Sequence, residues 1–287
     1  MKRPTLHPDL CRRIGFGCGR LVGGSSFKES ALLLETAAEL GIRYFDVAPS
    51  YGLGSAERVL GEVLGGDTQF EIATKVGISR PKNATLLSAA RSFVAPVVRR
   101  VGPLKQLALS YLSRQVNRQE LNNNELLASF EESLHLLKRD SVDVLFLHEA
   151  IGIDNPETRQ FFEQMYRAQK CRYFGAAISA QKTDIQFGNA VQMGFGPNFE
   201  PPNSITKISV HGVVRADLEV FYGMDSIIKT DYFFNKSISN RTIEAACKIL
   251  FFLKKFDDSR VVFSFKDSQM FIDILNVLSE IYDERAC

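Results

Sequence analysis

Asp46, Tyr51, Lys75 and His148 are residues whose types and positions would together let this chain deliver a proton. Asp46 sits where the apolar run "YFDV" breaks into "APSYG", and Tyr51 follows within that turn. Lys75 closes the run "FEIATK", and His148 closes "VDVLFLH" with Glu149 next. A tyrosine hydroxyl has a reference pKa of about 10 and is a poor acid at neutral pH. A nearby ammonium favours the phenolate and lowers that value. A lysine keeps its charge in a partly buried site if a carboxylate pairs with it, which is the role expected of Asp46. His148 would hydrogen-bond a substrate oxygen and orient it. The set is a proton donor beside a carbonyl, a contribution of roughly 10²–10⁴-fold. No side chain supplies hydride, so a reductive chemistry needs a cofactor. Each residue also has a plainer use: a turn hydrogen bond, a rim aromatic, a solvated strand end, a structural histidine. Their weight comes from standing on neighbouring elements.

Those elements are short apolar runs alternating with longer amphipathic ones. Strands are expected at 13–17, 43–47, 70–75, 142–148, 171–178, 205–210, 226–230 and 260–265. Helices are expected at 28–40, 55–65, 123–138, 156–169, 182–193, 213–222, 240–256 and 268–284. Strands alternating with helices imply parallel βαβ units, and near-continuous apolar strands imply a sheet covered on its outer face. Eight such units predict an α/β fold, a single-domain (β/α)8 TIM barrel over residues 1–287. In such barrels the chemistry gathers at the C-terminal strand ends, where Asp46, Lys75 and His148 fall. The rival is a dinucleotide fold, prompted by "GFGCGRLVGG". It fails on spacing, because the third glycine would stand at Arg20 or Val22.

One connection breaks the rhythm. Residues 79–121, between the third strand and the third helix, form an insertion of more than 40 residues, against the usual 2–6. From 79 to 119 it carries Arg80, Lys82, Arg91, Arg99, Arg100, Lys105, Arg114 and Arg118 and no acidic residue. As a strand-to-helix connection it belongs on the C-terminal face. There it would serve as a lid attracting an anionic substrate, as a surface for acidic partners or membranes, or as a solvated helical loop.

The segments "FDVAPSYGLGSAERVLG", "IATKVG" and "VDVLFLHEA" resemble, in that order, the motifs of the aldo-keto reductases, short and of bacterial type, with a divergent C-terminal half. The resemblance implies a (β/α)8 barrel that reduces aldehydes and ketones. It makes Asp46, Tyr51, Lys75 and His148 the catalytic tetrad, with Asp46 also beside the cofactor. The implied cofactor is NADP(H) in preference to NAD(H), and the implied substrate is a small carbonyl compound or sugar, anionic if the insertion attracts one. Gly17, Cys18 and Gly19 align with a segment whose backbone lies near the nicotinamide. After the fifth strand the family has Gly-x-Ser-Asn; here "FGAAIS" puts Ala177 at the serine and displaces the hydroxyl to Ser179. The family's strand-six glutamine corresponds to Lys207 in "ITKISV". Ser264 and Lys266 in "VVFSFKDSQ" are the residues expected to face a cofactor phosphate.

Composition fits a catalytic barrel. The chain has 287 residues, is 45% hydrophobic and carries a net charge of +2, which makes no global case for nucleic acid. Five scattered cysteines without a CxxC pair argue against a disulfide framework or zinc site and point to a reducing compartment. The N-terminus lacks the apolar core of a signal peptide, and no apolar run nears membrane-spanning length. A cytoplasmic protein is expected. Two other functions fit parts of the sequence: a non-catalytic, nucleotide-sensing or regulatory barrel that keeps the tetrad, and a metal-dependent barrel hydrolase. The second would need several His or Asp ligands at strand ends, where His148 and His211 are the histidines available.

Overall fold

The computed structural model describes residues 6–81, 121–179, 187–196, 199–200, 202, 205–216, 239–265 and 268–286. Eight strands run in the order β1 (Ile14–Gly17), β2 (Tyr44–Asp46), β3 (Glu71–Val76), β4 (Val142–His148), β5 (Cys171–Ala177), β6 (Ala190–Gly194), β7 (Lys207–His211) and β8 (Ser259–Phe263). Each pairs in parallel with the next, and β8 returns to β1 to close the barrel. The described helices are α1 (Pro8–Arg13), α2 (Phe27–Glu39), α3 (Ala56–Leu64), α4 (Asn123–Leu137), α5 (Pro156–Arg167), α6 (Asn240–Lys255) and α7 (Ser268–Ala286). The expected (β/α)8 barrel is therefore the fold. No described helix is long and apolar enough to cross a membrane.

Alternation along each strand builds two cores. Phe16, Phe45, Ile72, Leu145, Leu147 and Val261 point outward and pack with the helices. Tyr44, Ala73, Val144, Phe146, Ala177, Ala190 and Val262 point inward and fill the barrel. Because side chains repeat every second residue, each inward row continues upward in steps of two. Tyr44 leads to Asp46, Ala73 to Lys75, and Val144 and Phe146 to His148. The polar residues are the top rungs of apolar ladders.

Helix ends follow local chemistry. The Asn122 side chain accepts from Glu125 N–H while Glu125 reaches back to Asn122 N–H, a reciprocal cap on α4. Asn155 caps α5 with Pro156 at its first turn. Gly61 on α3 lets that helix touch α4: a Cβ there would stand 2.0 Å from Leu136 O.

Two expected elements are corrected. Of the helix expected over 182–193, residues 182–186 lie outside the described residues, and residues 190–194 are instead β6, buried throughout. Gly188, at φ +73, turns the chain against Phe174 O, and the Asn189 side chain accepts from Phe174 N–H, so the segment enters the sheet. The run expected as the sixth strand is consequently the seventh, β7. The run expected as the seventh, 226–230, lies outside the described residues. Of the helix expected at 213–222, the described part is a single 3₁₀ turn, Val213–Arg215. Among the described residues no α-helix lies between β5 and β7. Of the 79–121 insertion, residues 82–120 also lie outside the described residues.

Candidate active site

Lys75 and Asp46 form the buried centre of the site, with relative exposures of 1% and 4%. Lys75 Nζ donates to Asp46 Oδ1 at 2.6 Å and to Val47 O at 3.0 Å. Burial works against the lysine's charge, but Asp46, Tyr51 and Tyr44 around it lift its pKa above the ordinary value. Lys75 therefore stays cationic.

Tyr51 opens a tight turn, Tyr51–Gly54, at the top of β2. Gly52 and Leu53 both take left-handed backbone there, at φ +57 and +58. A Cβ on Gly52 would lie 1.8 Å from Leu21 O, so glycine alone fits. The turn lays the Tyr51 ring over Lys75, whose Nζ lies 4.8 Å from the ring centre. The His148 ring meets Tyr51 edge-on, with centroids 6.1 Å apart. Burial raises the Tyr51 phenol above its usual pKa; Lys75 pulls it down, and Asp46 pushes it back up. The lowering expected from Lys75 is present but outweighed, because burial penalises the phenolate and Asp46 offsets much of the lysine's field.

Asp46, Tyr51 and His148 open onto a cavity of about 280 Å³ at the C-terminal mouth of the barrel, with Lys75 buried behind them. Gly17, Gly19, Asp46, Tyr51, His148, Ser179 and Ser264 all line it. Cys18 stands behind that wall, fully buried, its thiol pushed well up by burial. Lys266 lies outside the described residues. Lys207 is not in this cavity. It begins β7 at the opposite mouth, over the ring of Tyr173, in a second cavity of about 290 Å³. Its inward row runs Lys207, Ser209, His211, so it has the expected face and the wrong end.

Three residues of the upper cavity were not anticipated as site members. Gln192 on β6 donates from Nε2 to Asp46 Oδ1 at 2.9 Å and is 3% exposed. Its signal was the row Ala190–Gln192–Gly194, hidden when that stretch was read as helix. His211 tops β7, and burial lowers its pKa, which keeps the imidazole neutral. Glu149 follows His148 at φ +56 and accepts from both the N–H and the hydroxyl of Ser179. Among the described residues no three His, Cys, Asp or Glu side chains gather as metal ligands. What the arrangement offers is a phenol beside a lasting ammonium, with two imidazoles facing the same space.

The chain matches the model of the Aldo/keto reductase family over residues 13–184. It is 31% identical to a D-threo-aldose 1-dehydrogenase of a Pseudomonas species over 145 residues, 47% of this chain and 39% of that protein. It is 29% identical to a pyridoxal 4-dehydrogenase of Microbacterium luteolum over 147 residues, 50% of this chain and 40% of that one. The chain thus spans about two fifths of the length of these curated relatives. Its fold is similar to that of an aldo-keto reductase from Bacillus halodurans in its holo form, with a TM-score of 0.60 and 18% identity over 94% of this chain and 86% of that one. It is also similar to an aldo/keto reductase from Klebsiella pneumoniae in complex with NADP and acetate, with a TM-score of 0.61 and 15% identity over 93% and 85% of the two chains. With the family model matched over more than half its length, and over the segment that holds Asp46, Tyr51, Lys75 and His148, the chain belongs to the aldo/keto reductase family.

Proposed function

We propose that the protein is an NAD(P)H-dependent oxidoreductase that reduces an aldehyde or ketone, or oxidises a sugar hemiacetal or alcohol, with Tyr51 as general acid and base. The observation that carries this is Lys75, buried 2.6 Å from Asp46 and 4.8 Å from the Tyr51 ring centre, with Asp46, Tyr51 and His148 lining one cavity.

The wall of that cavity fits the nicotinamide end of a dinucleotide. Gly17 and Gly19 expose backbone, Ser179 and Ser264 offer hydroxyls, and the Gln192 amide lies beside Asp46. When bound, the cofactor would supply or accept the hydride, which no side chain can. Tyr51, kept protonated by burial, would donate its hydroxyl proton to the carbonyl oxygen as negative charge develops there. Lys75 would stabilise the phenolate left behind, and Asp46 keeps Lys75 charged and in place. His148 would hydrogen-bond the same oxygen and set the carbonyl's orientation. The reverse sequence serves oxidation. NADP(H) is the favoured cofactor, and a small carbonyl compound or sugar the substrate class.

A nucleotide-sensing barrel is the second reading. It is favoured by Glu149, which engages the hydroxyl and N–H of Ser179 on the cavity wall. Cofactor fluorescence titrated with NADPH and with NADH tests the binding both readings share, and saturable micromolar binding is the expected outcome. The chain has no tryptophan, so the cofactor's own emission is read. A panel of aromatic, aliphatic and sugar aldehydes then separates the readings. Steady turnover that falls at least about 100-fold in Tyr51→Phe, with binding retained, supports the reductase. Binding without turnover supports the sensor, and no binding of either nucleotide sinks both.

A further inference from the structure

Arg80 lies just beyond β3, at the start of the basic insertion, and it reaches back to the turn that carries Tyr51. Its Nη1 donates to Gly54 O at 3.1 Å and, at the longer distance of 3.5 Å, to Pro49 O. These two carbonyls bracket Tyr51 on either side. Its Nη2 donates to Glu57 Oε2 at 2.7 Å. Its Nε lies 2.8 Å from Glu132 Oε1 on α4. Glu57 is fully buried at the start of α3, and its other oxygen accepts from Thr74 Oγ1 at 2.6 Å. Thr74 precedes Lys75 on β3 and points to the opposite face.

The charges explain why these groups occur together. A fully buried carboxylate is costly unless paired and hydrogen-bonded. Glu57 has an arginine on one oxygen and a threonine hydroxyl on the other. The arginine, anchored by that pair, has a planar fork whose remaining N–H groups lie in fixed directions. One edge is spent on the carbonyls of the Tyr51 turn. The turn needs holding, because Leu53 is a branched residue in left-handed backbone, a conformation that surrounding structure must impose. Ser55 holds the turn from within, its Oγ donating to Gly52 O at 2.6 Å. Arg80 adds a link from the turn to Glu57 on α3 and Glu132 on α4.

We propose that Arg80 is a positioning residue that sets the Tyr51 hydroxyl over Lys75, with Glu57 as the buried charge that fixes Arg80. The strand bearing Lys75 and the turn bearing Tyr51 are thereby coupled through Thr74, Glu57 and Arg80. The effect on catalysis rests on the reductase reading above, while the effect on Tyr51's position does not.

The experiment compares wild type with Arg80→Lys, Arg80→Ala and Glu57→Gln by three readouts. These are thermal unfolding, NADPH affinity, and turnover of the best aldehyde found for wild type. A fourth readout is ¹⁹F NMR of 3-fluorotyrosine placed at position 51. Lysine keeps the charge opposite Glu57 but loses the fork. Arg80→Lys should therefore unfold near the wild-type temperature and bind NADPH normally, yet lose about 10- to 100-fold in kcat with little change in KM. Its Tyr51 fluorine signal should shift or broaden. An Arg80→Lys protein with wild-type kcat and an unmoved fluorine signal overturns the proposal and leaves Arg80 a stabilising ion pair. If Arg80→Ala or Glu57→Gln fails to fold, Arg80→Lys alone decides. If wild type turns over no aldehyde, the reductase reading fails and the fluorine signal alone decides: movement supports the positioning role, and none refutes it.

Discussion

Lys75 and Asp46 are a charge pair whose value is easiest to see by removing one member. A buried ion left without its partner typically costs about 3–5 kcal/mol, whereas replacing both members with apolar or neutral groups costs far less. Lys75→Met should therefore lower unfolding free energy by about that amount, leaving Asp46 with the Gln192 amide as its remaining side-chain partner among those described. The double variant Asp46→Asn with Lys75→Met should recover much of the loss while staying inactive. Urea denaturation of the three proteins measures it. Full stability in Lys75→Met would mean that Asp46 is not held as a buried, paired carboxylate. Asp46, Lys75 and His148 were legible in the sequence because each is ionisable and closes an apolar run, and Tyr51 because it stands in the turn after one. The raised pKa of Tyr51 was not legible, since it depends on burial and on the Asp46 charge that offsets Lys75.

Helix α3 and strand β6 show how elements hold the site. α3 begins directly after the Tyr51 turn and lies against α4 through Gly61, where a Cβ would meet Leu136 O at 2.0 Å and Leu137 Cα at 2.8 Å. Gly61→Ala must push the helices apart, and such overpacking costs about 1–3 kcal/mol, which denaturation will register. It should do so despite alanine's better helix propensity, and a stabilised variant would place the two helices farther apart than they stand here. On β6, Gln192→Leu removes a hydrogen bond to a charged acceptor, worth about 1.5–3 kcal/mol. Turnover should fall in parallel, because Asp46 loses a restraint; unchanged stability and turnover would deny Gln192 its place beside Asp46. The strands whose apolar run is set off by turn residues were readable, as in "VDVLFLH". β6 was not, because the residues before "AVQMG" continue a helical pattern in the sequence and the turn at Gly188 is set by its contact with Phe174 O.

Across the whole molecule, buried titratable groups define a pH window of stability. Burial, with a contribution from Asp46, raises Tyr44 to about 12, and burial raises Cys171 to about 12. Lys75 is raised as well, through Asp46. Each favours its protonated form in the fold, so its contribution is whole below its unfolded pKa of about 9 to 10.4 and is lost as pH rises above it. His211 is lowered by burial, so its contribution is whole above about 6.5 and is lost as pH falls through its folded value. Urea midpoints should be flat between roughly pH 6.5 and 9 and fall on both sides. Tyr44→Phe should soften the alkaline fall, at some cost in its hydroxyl contact with Ser209. A midpoint still rising above pH 10 would contradict the buried, protonated state of these groups.

The sequence by itself determined the barrel class and which ionisable residues stand at the ends of β2, β3 and β4. Strand periodicity and the place where apolar runs end are local properties of consecutive residues, and both survive folding unchanged. It also determined which face Lys207 takes, since alternation fixes faces. Only the tertiary structure decided which end of the barrel Lys207 occupies, that Gln192 and His211 complete the site, and that Arg80 reaches the Tyr51 turn instead of solvent. Those facts depend on strand register and on contacts between residues far apart in the chain: Gln192 meets Asp46 across 146 residues, and no period within a strand encodes that meeting.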